Sequence, residues 1–132
     1  MKFWIIALVL MLFFVSVPSW SAPQSSAAPK YDVSKEATYK GTITEVKDRE
    51  CAISRGLGSH FMLKLADGKS YEVHVAKTTF VKDLEIAFKP GDQVEVTGVQ
   101  LTFEDVDAVL AREIKLGNDV FTFRDKSGKP VW

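Results

Sequence analysis

The fold of this chain is decided by a turn and the strand after it, Lys89–Gly98, which read KPGDQVEVTG. The Pro-Gly pair favours a tight turn, because proline presets φ and glycine accepts backbone angles that other residues resist. Val94 and Val96 then alternate with polar residues, which is the period of a half-buried β-strand. Gly98 ends the run, and a glycine there indicates a bulge or a close approach of two backbones.

The clearest neighbouring strands form a hairpin around Asp67-Gly68-Lys69. Apolar and polar residues alternate on both sides of this turn, which predicts two half-buried strands. Directly opposed residues of an antiparallel pair share a face, and a three-residue loop with glycine at positive φ suits the spacing. The pairs expected to face the core are Leu65 with Tyr71, Leu63 with Val73, and Phe61 with Val75.

The same register predicts the outer face of this hairpin. Lys64 is expected opposite Glu72, and Met62 opposite His74, with His60 as a diagonal neighbour of His74. A slip of one residue would turn the apolar set toward water, so the alternation fixes the face of each side chain. Both imidazoles are therefore predicted to face solvent.

The remaining elements complete an all-β chain with one short helix. Phe80, Leu84 and Phe88 recur every four residues, which predicts a helix over Thr78–Phe88. A parity break in the first strand predicts a bulge there. The other strands are expected at Thr38–Lys47, from the turn after Pro90 on to Phe103, and at Ala108–Leu116, with a hairpin-like extension from Val120 to Trp132.

Three strands, a helix and two strands are the order of the OB-fold, a five-stranded, partly open Greek-key barrel. The alternative is another small β-barrel or a β-sandwich. In an OB-fold the ligand surface is the outer face of the second and third strands with the flanking loops. The ligand-binding candidates by this mapping are Lys64, Glu72, His74, Arg49, Arg55 and Phe103.

The N-terminus has the pattern of a secretory signal peptide. A lysine precedes an apolar run over Phe3–Val17, and Ser19 and Ser21 supply small residues for cleavage after Ser21, with cleavage after Ala22 left open. A membrane anchor is the alternative, but a spanning helix needs about 20 apolar residues. The expected division is a signal peptide (1–21), a flexible linker (22–37) and an OB-fold domain (38–132), which predicts a periplasmic or secreted protein without a membrane span after cleavage.

The charge balance argues against nucleic acid as a partner. The chain has 17 basic and 17 acidic residues, and removal of the signal peptide takes away one lysine, which leaves 16 against 17. Proteins that bind nucleic acids usually carry a basic excess that neutralises phosphates. The expected partner is instead an envelope protein or a small ligand, bound by a monomer or a weak oligomer.

The lone cysteine, Cys51, leaves three interpretations open. One thiol cannot form a disulfide within its own chain. It is a packed apolar residue, a thiol that links a dimer, or a metal ligand. The role of the terminal Trp132 is open as well, between packing on the barrel and binding a partner.

Three stretches resemble a family of small exported bacterial OB-fold proteins of mostly unknown function. They are KPGDQVEVTG, VLAREI at Val109–Ile114 and FTFRDKSGKPVW at Phe121–Trp132. The chain also resembles the OB domain of magnetosome proteins of the S and X type. Some of those carry Cys-x-x-Cys-His haem motifs; this sequence has none, so the resemblance does not imply electron transfer here.

The residue types bear on two chemical functions, metal binding and catalysis. His60, Met62 and His74 form a soft-to-borderline donor set suited to copper or another transition metal, although no cofactor is required by the sequence. No nucleophile–base pair or paired-carboxylate pattern stands out, which predicts a protein that is not an enzyme. The sequence therefore predicts an exported, non-enzymatic binding or assembly module, with metal or redox handling by the His/Met face as the alternative.

Overall fold

A computed structural model describes residues 28–132 as a single sheet with one short helix. The predicted signal peptide lies outside these residues. A 3₁₀ turn over Val33–Lys35 leads into the first strand. The strands are β1 (Glu36–Cys51), β2 (Gly56–Leu65), β3 (Ser70–Lys77), β4 (Gln93–Phe103), β5 (Val106–Leu116) and β6 (Asp119–Thr122), and the helix α1 is Thr78–Asp83.

The sheet closes into the predicted OB-fold barrel. Across residues 28–132 the strand order is β3-β2-β1-β4-β5-β6, and a parallel pairing of β3 with β5 closes the first five strands. This closure, with α1 between β3 and β4, is the OB-fold arrangement. β6 pairs with β5, and Arg124 then bridges Pro130, which forms the predicted C-terminal hairpin-like extension.

Irregularities in β1 and β4 help the strands curl into a barrel. In β1 the register with β2 shifts between Ile43 and Glu45, as the parity break predicted. In β4 the register with β5 shifts at Gly98, where an added Cβ would collide with the carbonyl oxygen of Leu110. Gly98 therefore has both predicted features, a bulge and a close backbone approach.

The β2–β3 hairpin keeps the predicted faces but not the predicted register. The loop is Ala66-Asp67-Gly68, with Gly68 at a φ of 87°, and the Leu65 amide donates to the carbonyl of Lys69 across 2.9 Å. The predicted loop began one residue later. Moving the loop by one residue shifts the pairing by two, and a shift of two returns each side chain to the same face.

All the predicted pairs across this hairpin are consequently wrong, although their faces are right. The main difference lies on the outer face, where the two histidines are directly opposed rather than diagonal. The observed pairs are His60 with His74, Phe61 with Val73, Met62 with Glu72, Leu63 with Tyr71, and Lys64 with Ser70.

The helix is shorter than predicted. It ends at Asp83 because Glu85 adopts a φ of 56°, in the left-handed region that cannot continue a right-handed helix. Phe80 and Phe88 still pack against the barrel interior. The four-residue period therefore did not mark one buried helical face, since Leu84, between the two aromatic residues, is 42 % exposed.

The packed domain extends beyond the predicted boundary at residue 38. β1 begins at Glu36, and Tyr31 is 9 % exposed. The Tyr31 hydroxyl donates to Glu36 across 2.6 Å, and its ring lies against Gly128 and under the guanidinium of Arg124. Part of the predicted linker therefore packs against the C-terminal turn.

Buried apolar residues fall into two groups on opposite sides of the sheet. The first, called the main core, fills the barrel and includes Phe61, Leu63, Val73 and Phe123. The second, called the outer layer, lies on the other side of β3, β4 and β5. Its members are Tyr31, Cys51, Val99, Phe103, Ala108 and Leu110, with Ile53 and Leu101 packed at its edge.

Trp132 ends the chain against the main core, half-buried and 5.7 Å from the guanidinium of Arg124. Of the two roles that the sequence left open for Trp132, the structure shows packing on the barrel. Among the described residues, no helix has the length and apolar character that crossing a membrane would require.

Candidate functional site

The outer face of β2 and β3 is covered, so the prediction of solvent-facing histidines is wrong. The end of β1 and the loop after it fold back over this face, where Cys51 packs with Phe103 and Ala108. His60 and His74 are only 2 % and 5 % exposed. Alternation correctly assigned both imidazoles to the face away from the main core, but a distant part of the chain covers that face.

Cys51, His60 and His74 converge beneath this cover and form what is called here the Cys–His cluster. One potential ligand atom from each residue lies within 4.8 Å of the other two. The Cys51 sulfur is 3.6 Å from Nδ1 of His74. The two imidazoles meet edge to face, with their ring centres 4.5 Å apart. Three buried donor groups from three strands therefore surround one point.

The proton of His60 is fixed by a backbone contact. Its Nδ1 lies 2.8 Å from the carbonyl oxygen of Gly58. A carbonyl only accepts, so Nδ1 donates, and Nε2 of the neutral ring keeps its lone pair. Burial, assisted by the positive charge of Arg49, holds the pKa of His60 below its usual value. The ring is therefore a neutral donor ligand near pH 7.

His74 is the most strongly perturbed group of the cluster. Burial, with a further contribution from His60, lowers its pKa to about 4. Its Nε2 lies 3.3 Å from a carboxylate oxygen of Glu72, but without the alignment of a hydrogen bond, so that this buried nitrogen has no hydrogen-bond partner within residues 28–132. An unpaired buried polar atom lowers the stability of the fold, which favours a binding role for the ring over a purely structural one.

Glu72 connects the cluster to the surface. Its buried carboxylate accepts a hydrogen bond from Arg49 and lies 3.8 Å from Nζ of Lys47. Burial alone would raise the pKa of Glu72, but the hydrogen bond and charge of Arg49 outweigh it, and the pKa is lowered. Arg49 also reaches Glu104 across 3.4 Å. The cluster thus lies beside an ionised carboxylate held by two cations.

The space inside the cluster is small. The cavity bounded by Cys51, His60, His74 and Trp132 holds about 10 Å³, about the volume that a single water-sized sphere occupies. The ring of Phe103 closes another side, 5.5 Å from that of His74. The cavity has room for one ion or one water molecule and excludes an organic ligand.

The structure divides the predicted site residues. His60 and His74 of the predicted metal set come together, but Met62 lies outside the cluster, opposite Glu45 and Glu72. Cys51 takes its place, and its burial leaves the sulfur inaccessible to a second chain, which argues against a thiol that links a dimer.

The ligand-binding candidates are divided in the same way. Arg49, Glu72 and Phe103 border the cluster. Arg55 is exposed in the β1–β2 loop, and Lys64 lines a separate depression near the β2–β3 loop. A clue to Cys51 was its position just after the predicted first strand, since the loop that follows this strand is part of the OB-fold ligand surface.

Two solved structures were compared with the chain. One is the small single-stranded DNA-binding protein from Streptomyces coelicolor, at 18 % identity and a TM-score of 0.47, with 67 % of this chain and 94 % of that chain covered. The other is the mitochondrial single-stranded DNA-binding protein Rim1 from S. cerevisiae, at 16 % identity and a TM-score of 0.41, with coverages of 67 % and 97 %. A search of curated protein sequences found no significant match.

The family comparison covers most of the described domain. The MamS/MamX magnetosome protein family matches residues 35–121, from the end of the 3₁₀ turn through most of β6. The match includes all three residues of the Cys–His cluster and both the KPGDQVEVTG and VLAREI stretches. This chain therefore belongs to the MamS/MamX magnetosome protein family.

Proposed function

We propose that this chain is an exported, non-enzymatic OB-fold binding module of the bacterial envelope. The observation that carries the proposal is the Cys–His cluster, three buried donor groups around a space of about 10 Å³. Such a site holds an ion and excludes an organic substrate. The signal-peptide pattern at the N-terminus supports export.

Burial of the titratable groups supports binding over catalysis. General acid–base chemistry requires the catalytic group to contact the reacting atoms of a substrate. His60, Glu72 and His74 are all at most 5 % exposed, so no substrate reaches them without displacement of the β1–β2 loop. The module therefore binds without turnover.

The proposed partner surface, called the rim, consists of charged residues in the β1–β2 loop and the β4–β5 turn. Arg55 in the β1–β2 loop and Glu104 and Asp105 in the β4–β5 turn have positive φ values. These positions favour glycine or asparagine, so the presence of charged side chains there supports a role for those side chains. An envelope protein with complementary charges is the proposed partner, bound by a monomer or a weak oligomer.

Nucleic acid is not the proposed partner. The predicted mature chain has 16 basic and 17 acidic residues, and phosphate binding requires a local basic excess. On the OB-fold ligand face, Arg49 and Lys47 are already paired with Glu72. A salt-dependent shift of a single-stranded oligonucleotide by the purified chain would contradict this part of the proposal.

The experiment is affinity capture from the encoding bacterium with the tagged full chain. The tagged chain is expected in the periplasmic fraction, with an intact mass that lacks residues 1–21. The double variant Arg55→Glu/Glu104→Lys reverses the rim charges and is expected to lose a protein that the unmodified chain captures. Recovery of the full, unprocessed chain from the cytoplasm would overturn the proposal of export.

Lys64→Glu is the matched control, since it reverses an exposed charge in a separate depression. It is expected to retain the captured protein. If both variants lose the captured protein equally, the cause is a general charge effect. If both retain it equally, the rim is not the partner surface.

A further inference from the structure

We propose that the Cys–His cluster binds a single monovalent copper ion through Cys51, His60 and His74. This inference rests on the proposed binding function and names the ligand of its buried site. Its first support is geometric, since one donor atom of each residue lies within 4.8 Å of the others. Donor atoms that surround a common metal ion are separated by similar distances, because each lies about 2.0–2.3 Å from the metal.

The chemistry of the donors selects a soft or borderline ion. One thiolate sulfur and two imidazole nitrogens suit copper and zinc, whereas magnesium and calcium take oxygen ligands. The carboxylate of Glu72 lies beside the cluster, and Arg49 and Lys47 already neutralise its charge. The cluster is therefore unsuited to a hard cation.

The number of donors and the size of the cavity favour copper over zinc. Zinc sites in proteins are almost always four-coordinate, with water in the fourth position where the protein supplies three ligands. The cavity of about 10 Å³ has room for about one water-sized sphere, so an ion that fills it leaves no space for a water ligand. Monovalent copper accepts three ligands, and thiolate favours this oxidation state.

His60 is arranged as metal-binding histidines usually are, and His74 has a carboxylate close to its second ring nitrogen. A ligating imidazole commonly donates its other N–H to a carbonyl or carboxylate. Nδ1 of His60 donates to the carbonyl of Gly58 across 2.8 Å. If Nδ1 of His74, beside Cys51, binds the ion, its proton resides on Nε2, which lies 3.3 Å from the Glu72 carboxylate. Ion binding through Nδ1 thus places a proton on the unpaired Nε2, next to a carboxylate that could accept it after a small reorientation.

The binding step is a ligand exchange without a change in oxidation state. The Cys51 thiol loses its proton to solvent as the Cu–S bond forms, and the two neutral imidazoles donate lone pairs. One proton is released for each copper ion bound. The burial of Cys51 at 6 % exposure protects the bound thiolate from oxidants.

The test is copper binding by the chain produced from its complete sequence, purified in reduced form without oxygen. Copper(I) and zinc(II) are offered separately and then together, and the metal retained per chain is measured by elemental analysis. One copper per chain is expected, with sulfur and nitrogen neighbours in the X-ray absorption spectrum. Because Cys51 is the only cysteine, a copper–sulfur neighbour that disappears in Cys51→Ser assigns the bound copper to this site.

Cys51→Ser and His74→Leu are each expected to weaken copper binding by at least about tenfold, as the loss of a supporting group already does at metal sites. Met62→Leu, outside the cluster, is expected to bind like the unmodified chain. Near-ultraviolet circular dichroism checks that each variant folds, and Cys51→Ser, a change of one atom, keeps the test valid if His74→Leu does not fold.

Three results would overturn the inference: retention of zinc in preference to copper, equal copper binding by Cys51→Ser, or no copper bound by the folded chain. These results leave the capture experiment unaffected. If the chain binds copper but captures no partner protein, the proposal that the rim is a partner surface is wrong, and the proposal of the copper site stands.

Discussion

The main core and the Cys–His cluster lie on opposite faces of the same two strands, β2 and β3. Toward the barrel interior these strands present Phe61, Leu63 and Val73, each at most 1 % exposed. Toward the outer layer they present His60 and His74, which are nearly as buried. The main core and the Cys–His cluster therefore use the same two strands and are buried to a similar degree, but one is apolar and the other is polar.

This difference separates what stabilises the fold from what gives it a function. Burial of apolar surface stabilises the folded state by about 25 cal/mol per Å². Burial of an imidazole whose nitrogen lacks a partner opposes folding. A buried polar cluster with an unpaired nitrogen at His74 is explained better by binding than by stability, since violations of packing rules concentrate at functional sites.

The largest effect is expected in the main core. Leu63→Ala removes a fully buried side chain from the interior and is expected to lower the free energy of unfolding by about 2–5 kcal/mol. Urea denaturation followed by circular dichroism measures this change. A loss below about 1 kcal/mol would mean that the barrel interior is less tightly packed than the structure indicates.

A smaller effect is expected from pH, and it belongs to the cluster. The folded-state pKa of His74 is about 4 against 6.5 for an ordinary histidine, so between these values the unfolded chain binds a proton that the folded chain does not. The metal-free protein is therefore expected to lose up to about 3 kcal/mol of stability from His74 as pH falls from about 6.5 to about 4. Above about pH 6.5, His74 no longer makes the stability of the protein depend on pH.

Urea denaturation of the metal-free chain at a series of pH values measures this slope, with His74→Leu as the control in which most of it should disappear. A slope in the opposite direction, or the same slope in the control, would place the titrating group elsewhere. Glu72, whose pKa is lowered in the fold, adds a further loss at the acidic end.

His74→Leu separates the two interiors most sharply at neutral pH. It replaces an imidazole that has an unpaired nitrogen with an apolar side chain, and it is expected to leave the stability of the metal-free protein unchanged or to raise it by about 1 kcal/mol. Thermal unfolding without metal measures the change. A loss of more than about 2 kcal/mol would show that His74 is as important for packing as Leu63.

The smallest effect is expected outside both interiors. Lys40 pairs with Glu95 across 2.9 Å on the surface, and exposed ion pairs contribute little to stability. Lys40→Ala is expected to leave the midpoint of urea denaturation unchanged. A clear loss would mean that charge pairs, as well as the main core, hold β1 and β4 together.

The local predictions succeeded where a local rule applied. The bulge in β1, the close approach at Gly98 and the faces of β2 and β3 all followed from neighbouring residues. The register of the β2–β3 hairpin failed because the sequence around Gly68 suits two adjacent loops, and only the observed one places this glycine correctly for its φ of 87°. The shift by two residues left the faces intact.

The sequence by itself determined the order of strands and helix that predicts an OB-fold, and the side of the sheet on which each histidine lies, because strand alternation and turn chemistry act between near neighbours in the chain. Only the tertiary structure decided that this side is buried and that Cys51, rather than Met62, joins the histidines. That outcome depends on the end of β1 folding over β3 and β5, a contact between segments more than 20 residues apart. The alternation of apolar and polar residues along a strand does not show which distant segment covers the strand.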